Sequence, residues 1–157
     1  MKSTTKLGEL GEKLVAKWLQ NQGYTILHYH WSCRWGEIDL IAHNQAENYP
    51  LPVNQAALLF VEVKTRSRGN WDLDGTLAIT PAKQRRIMLT AQLFLSEYRD
   101  LADLSCRFDV ALVRSHQIQQ HIETQLPQSI QLGQKVNCGE YQLTLQNYIS
   151  AAFNLNE

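Results

Sequence analysis

Two acidic residues and a lysine interrupt otherwise apolar runs. Asp39 lies in Gly36-Glu37-Ile38-Asp39-Leu40-Ile41-Ala42. Glu62 and Lys64 lie in Leu58-Leu59-Phe60-Val61-Glu62-Val63-Lys64-Thr65. Both runs read as strands, in which successive side chains alternate between faces. Leu58, Phe60, Glu62, Lys64 and Arg66 therefore share one face of the later run, and Leu59, Val61, Val63 and Thr65 share the other. That run starts apolar on both faces, as a central strand does, then turns charged on one face toward its end. A carboxylate and an ammonium there are costly unless paired or used. One reading is an ordinary Glu62–Lys64 ion pair. The other reading adds Asp39, a poor strand former that needs a partner or a metal. If the two runs pair antiparallel around the 44–57 segment, Asp39 faces Glu62 and Lys64. Two carboxylates at one point repel unless a cation lies between them. Mg²⁺ takes hard oxygen ligands of this kind, with waters and a substrate phosphate completing its shell. A metal on Asp39 and Glu62 polarises a phosphodiester and lowers the pKa of a bound water. Lys64 beside it can orient that water or stabilise charge in the transition state. Glu12 can support the metal's outer shell, or it is an ordinary solvated helix glutamate.

The elements that must position these groups follow from periodicity. Residues 5–22 read as a helix whose apolar face is Leu7, Leu10, Leu14, Val15, Trp18 and Leu19. Gly8 and Gly11 fall on that face, which predicts a close neighbour, and Glu12 borders it. Residues 24–31 read as a strand, with a polar turn at Ser32 to Trp35, and the Asp39 run pairs with it as a hairpin. Thr80 caps a second helix with Pro81 at its first position, running to about Tyr98. Its stripe is Ile87, Met88, Ala91, Leu95 and Tyr98. Arg107 to Val113 is a fourth strand, and Gln117 to Ile122 is read as a fifth. Residues 124–140 read as polar and irregular, and about Leu143 to Phe153 as a short strand or helix. The fold class is therefore α/β: helix, three strands, helix, strand, with a mixed central sheet flanked by helices.

Composition bounds the rest. The 157 residues fit one domain, 1–157, with a core over about 6–122 and an irregular C-terminal extension over about 123–157. Fifteen Lys+Arg balance fifteen Asp+Glu, which excludes gripping nucleic acid through bulk positive charge. A nucleic-acid surface would have to be a local patch. No apolar run approaches the length of a membrane span, and the N-terminal residues lack the apolar centre of a signal peptide. The three cysteines form no Cys-x-x-Cys pair, and a reducing cytoplasm is the simplest setting.

The runs Gly36-Glu37-Ile38-Asp39-Leu40-Ile41 and Phe60-Val61-Glu62-Val63-Lys64-Thr65-Arg66 resemble the restriction-endonuclease-like superfamily, with its Asp…Glu-x-Lys signature. More narrowly, the chain resembles the YraN family of uncharacterised bacterial proteins, which are similar to archaeal Holliday-junction resolvases. Gly8-x-x-Gly11-Glu12 with Ala16, Gly23-Tyr24, Ala78-Ile79-Thr80-Pro81 with Lys83, and Arg107-Phe108-Asp109-Val110 match in order. The resemblance implies a restriction-endonuclease-like core with Asp39 and Glu62 as ligands of Mg²⁺ or Mn²⁺. It implies Lys64 as the catalytic lysine and Glu12 as the helix carboxylate of the resolvase-like branch. The substrate it implies is DNA, branched DNA included, cut by a homodimer; RNA stays open. The segment Tyr29-His30-Trp31-Ser32-Cys33-Arg34 departs from the Arg-Asn start common in that branch.

Basic residues near the second helix are candidates for phosphate contact: Arg66 and Arg68 before it, and Lys83, Gln84 and Arg85 at its start. Gln84 can equally serve helix packing, and Trp71 can stack on a base or fold onto the core. His28-x-His30 sets two imidazoles on one strand face, read as surface histidines for want of a third ligand. Arg107 and Asp109 read as a structural ion pair. Three functions remain: a metal-dependent nuclease, a non-cleaving nucleic-acid-binding or adaptor module on the same fold, and, more weakly, a small-molecule hydrolase using the same metal site.

Overall fold

Two apolar faces on one sheet, each needing its own cover, determine the architecture. The computed structural model describes residues 6–44, 56–67, 79–122 and 125–153. The 44–57 and 66–79 segments fall largely outside them, with Arg68, Gly69, Trp71, Gly75 and Ala78. The elements are α1 (Lys6–Asn21), β1 (Tyr24–Cys33), β2 (Gly36–Asn44), β3 (Leu58–Arg66), α2 (Pro81–Glu97), β4 (Cys106–Ile122) and β5 (Lys135–Phe153), with a short 3-10 turn at Arg99–Leu101. The strands form one sheet in the order β1-β2-β3-β4-β5. Among the described residues only β3 and β4 pair in parallel, and α2 lies on the crossover between them.

The alternation expected along β3 holds. Leu59, Val61 and Val63 pack with Leu10, Leu14, Val15 and Leu19 of α1, whereas Leu58 and Phe60 pack with Ile87, Ala91 and Phe94 of α2. Helix α1 thus covers one face and α2 the other. Past the end of α1, the chain turns at Gly23, whose φ of 95° suits a residue without Cβ. Helix α2 starts as expected, with Thr80 accepting from the Lys83 amide at 3.2 Å. Its buried stripe adds Thr90 and Phe94 to the expected Ile87 and Ala91, while Met88, Leu95 and Tyr98 pack half-buried against the same core. Thr90 can be buried because its hydroxyl donates to the Arg86 carbonyl at 2.7 Å. Phe94 anchors an aromatic cluster with His28, Trp31, Phe60 and Tyr98.

The C-terminal third differs from the expectation. The expected fourth and fifth strands are one strand, β4, and the stretch read as irregular contributes the first third of β5. These residues are not an extension, because Val136, Cys138, Leu143 and Leu145 are buried in the α1-side core. Asn137, Gly139, Gln142 and Asn147 dilute the strand signal of β5. Gly139 has a φ of 61°, and register shifts interrupt the β4–β5 ladder.

A buried carboxylate ties β4 to β5. Asp109, 1% exposed, receives Arg107 Nε at 2.8 Å and Nη2 at 3.0 Å, the Tyr148 hydroxyl at 2.6 Å and the Ala151 amide at 3.0 Å. The structural ion pair expected from the sequence is therefore present. Burial, and then the charge and hydrogen bond of Asp109, push the Tyr148 pKa well above its ordinary 10.0. Above that ordinary value the unfolded chain releases a proton that the folded chain retains. The contribution is thus complete below pH 10 and is lost as pH rises toward the folded pKa. Tyr148→Phe should cost about 1.5–3 kcal/mol at neutral pH, as for a hydrogen bond to a charged group. Urea melts of both proteins as a function of pH should show this gap closing above about pH 10; a constant gap would exclude the linkage.

Candidate functional site

Strands β2 and β3 stop pairing where the charged residues begin. Their ladder runs from His43–Leu58 to Leu40–Val61. At the next step the Asp39 side chain takes over from the backbone, and Oδ2 accepts from the Val63 amide at 2.9 Å. This hydrogen bond supports a fully buried aspartate inside an apolar run. The alternation of β2 breaks here as well. Ile38 and Ile41 join the α2-side core, while Leu40 and Ala42 join the α1-side core. Strict alternation would place Ile38 and Leu40 on one face; the irregularity at Asp39 separates them.

The hairpin partner of Asp39 is His30. The β1–β2 turn is two residues long, Arg34-Trp35, between the paired Cys33 and Gly36. Counting back pair by pair sets His30 opposite Asp39, between the Trp31–Ile38 and Tyr29–Leu40 pairs. His30 has a φ of 53°, a strained value for a residue with a Cβ, and a register shift precedes it between Ile26 and His28. The two imidazoles expected on one face therefore part. His28 lies edge-on to Phe94 and Tyr98 on the α2 side. His30 instead reaches Glu12 of α1, Nε2 to Oε2 at 2.5 Å, and Glu37 of β2, Nδ1 to Oε1 at 2.5 Å. Burial works to lower its pKa, but the Glu37 hydrogen bond and the charges of Glu12 and Glu37 outweigh it, and the value is raised.

Glu12 is 4% exposed and so is not a solvated helix glutamate. Glu12, His30 and Asp39 each offer a ligand atom, all within 4.8 Å of one another. Two carboxylates and an imidazole suit Mn²⁺ at least as well as Mg²⁺, because nitrogen ligation favours the transition metal. The donor set therefore fits a divalent cation. Glu62, 3% exposed, precedes the residue whose amide Asp39 binds. Its carboxylate contacts Lys83 Nζ at 2.7 Å and Lys64 Nζ at 3.5 Å. The ordinary ion pair considered above is thus present, in an arrangement that adds Lys83.

A cleft of about 630 Å³ opens over Glu62 between the hairpin turn and the start of α2, with Arg34, Trp35, Glu37, Lys83 and Arg86 on its walls. Among the phosphate-contact candidates, Lys83 is engaged with Glu62. Gln84 donates from Nε2 to the Ile79 carbonyl at 3.2 Å, a packing role at the helix start. Arg85 is exposed on α2, and Arg66 is exposed at the end of β3 in register with Arg114. Arg68 lies outside the described residues. Sequence reasoning read His30 as a surface histidine and missed Arg34. A two-residue turn at Arg34-Trp35 would have exposed the first by register alone.

The approach of α1 to β3 is set by Gly11. A Cβ there would overlap Thr65 Oγ1, which is buried with no hydrogen-bond partner. Alanine gains helix propensity of about 1 kcal/mol. Thr65 is β-branched and stiff, so we expect the overlap to prevail. Gly11→Ala should be net destabilised by about 1 kcal/mol or more in urea unfolding, and adding Thr65→Ala should recover most of it. A more stable Gly11→Ala protein would show that Thr65 moves aside.

Residues 11–113 match the profile described as uncharacterised protein family UPF0102. A UPF0102 protein of Trichodesmium erythraeum is 48% identical, with the match covering 93% of this chain and 87% of that protein. Those of Nostoc sp. and Synechocystis sp. are 46% and 43% identical, with 97% and 95% of this chain and 96% and 98% of theirs covered. The catalytic candidates Glu12, Asp39, Glu62 and Lys64 all fall inside the matched region. By this match across most of its length, the chain belongs to the uncharacterised protein family UPF0102.

Proposed function

We propose that this protein is a metal-dependent nuclease on a restriction-endonuclease-like core, hydrolysing phosphodiester bonds in DNA, branched DNA included. One observation carries the reading. Asp39 stands where β2 and β3 part, clustered with Glu12 and His30 and bonded to the amide next to Glu62, which itself lines a cleft with basic walls. Asp39 would hold Mg²⁺ or Mn²⁺ with Glu12 and His30 around it, and Glu62, which lies outside that cluster, would complete the site. Bound there, the cation supplies Lewis-acid polarisation and a water of lowered pKa. Glu12 and His30 hold the Asp39 side of the site in place, and Glu37 fixes the His30 ring. Lys64 orients the attacking water or stabilises charge on the transferring phosphate. Lys83, now paired with Glu62, would be available to a substrate phosphate where Glu62 served a cation instead.

A homodimer would present two such sites to two strands. A cytoplasmic setting goes with this reading; among the described residues no helix is long and apolar enough to cross a membrane. The Lys83–Glu62 contact supports a second reading, a non-cleaving binding module, because it neutralises Glu62 without a metal.

The test is calorimetric titration of Mn²⁺ and Mg²⁺, followed by incubation with linear, flapped and four-way DNA and with RNA. Metal uptake and metal-dependent cleavage support the nuclease. A folded protein that takes up neither metal but shifts branched DNA in EDTA supports the binding module instead.

A further inference from the structure

The cleft wall carries a feature that metal chemistry does not use. Trp35, at the tip of the β1–β2 turn, is a 39%-exposed tryptophan that lines the cleft, with the Arg34 guanidinium 4.7 Å from its ring centre. The turn is held in place on both sides. The Trp35 amide donates to Cys33 Sγ at 3.3 Å, and Cys33 Sγ donates to Thr90 Oγ1 of α2 at 3.6 Å. Gly36 has a φ of 151°, and a Cβ there would lie 3.7 Å from Thr90 Oγ1 and 4.0 Å from Arg86 Cβ. The turn is therefore anchored on α2, and Trp35 lines the same cleft as Arg86 and Glu62.

Resting on the nucleic-acid reading above, we propose that Trp35 is a stacking platform for an unpaired nucleobase beside the scissile phosphate, with Arg34 and Arg86 contacting the flanking phosphates. The substrate class is then DNA with a single-stranded stretch at the cut, such as a gap, flap or open junction. Three features favour it. A cleft of about 630 Å³ has room for one or two nucleotides. Bases inside a duplex hide their faces, so only an unpaired base can offer one to an indole. Cationic walls suit the phosphates on either side of that base.

The experiment measures fluorescence anisotropy of labelled DNA with Ca²⁺ in place of Mg²⁺ and Mn²⁺. The DNAs are a full duplex, the same duplex with a short single-stranded gap, and that gapped duplex with abasic sites in the gap. The proteins are the parent, Trp35→Ala, Trp35→Phe and Arg86→Ala, each checked for an unchanged thermal melt. Trp35→Ala should weaken gapped-DNA binding about tenfold and duplex binding by less than about twofold, while Trp35→Phe stays near the parent. Arg86→Ala should weaken all three DNAs and reduce the salt dependence of binding. On the abasic gap the parent and Trp35→Ala should bind alike. Equal loss on gapped and duplex DNA, no loss on either, or a loss that persists on the abasic gap overturns the proposal. If the parent cleaves DNA yet is indifferent to Trp35→Ala, this inference falls alone. If the parent binds none of the DNAs, the nucleic-acid reading falls with it.

Discussion

Glu62→Gln is expected to cleave DNA at least about a hundredfold more slowly than the parent, with a nearly unchanged melting temperature. The substitution keeps the shape and removes the charge that would hold a cation. Lys64 and Lys83 lose a partner, but their side chains are 24% and 31% exposed and can turn to water. Stability therefore changes little while chemistry is lost. Metal affinity should fall at least about tenfold in the same titration, a loss at least as large as removing an outer-shell partner brings. Two companions separate the roles. Asp39→Asn keeps an oxygen for the Val63 amide, so it should fold and yet lose metal. Lys64→Ala should bind metal normally and lose only cleavage. Cleavage by Glu62→Gln at the parental rate would remove the assignment, and loss of metal binding in Lys64→Ala would place that lysine in the architecture of the site.

What could be read beforehand divides along a physical line. Strand β3 was legible because its alternation is strict and both faces are buried, so Glu62 and Lys64 fell on the α2 side with Leu58 and Phe60. The cap of α2 was legible because Thr80-Pro81 has one favourable local arrangement. Asp39 was expected to face Glu62, but the β2–β3 ladder ends at Leu40–Val61 and Asp39 accepts from the Val63 amide instead. His30 was missed because a polar turn read over Ser32 to Trp35 hides the two-residue turn whose register sets it opposite Asp39. Thr90 and Phe94 escaped because a buried threonine needs a local hydrogen bond to be tolerated, and because an apolar stripe can rotate by one position without losing its period. Strand β5 escaped because its polar residues pair along a long ribbon with β4, where tertiary context outweighs propensity.

The largest stability loss is expected at Asp109, away from the cleft. Asp109→Ala leaves the Arg107 guanidinium, the Tyr148 hydroxyl and the Ala151 amide without the acceptor they share. Removing one partner of a buried pair costs about 3–5 kcal/mol, because the remaining charge stays uncompensated. In a chain of this size that is about 6–20 °C in melting temperature, and much of the stability of an ordinary domain. Asp109→Asn keeps an acceptor and should lose less. The position also bears on the site, since Asp109 lies beside Val61 in the parallel β3–β4 ladder, one residue before Glu62. A catalytic role for Asp109 and a purely architectural one thus predict different data. If the role is architectural, Asp109→Asn assayed well below its melting temperature should bind metal and cut DNA like the parent, and its activity should disappear only with the fold. Loss of cleavage in the fully folded Asp109→Asn protein would instead extend the active constellation onto β4.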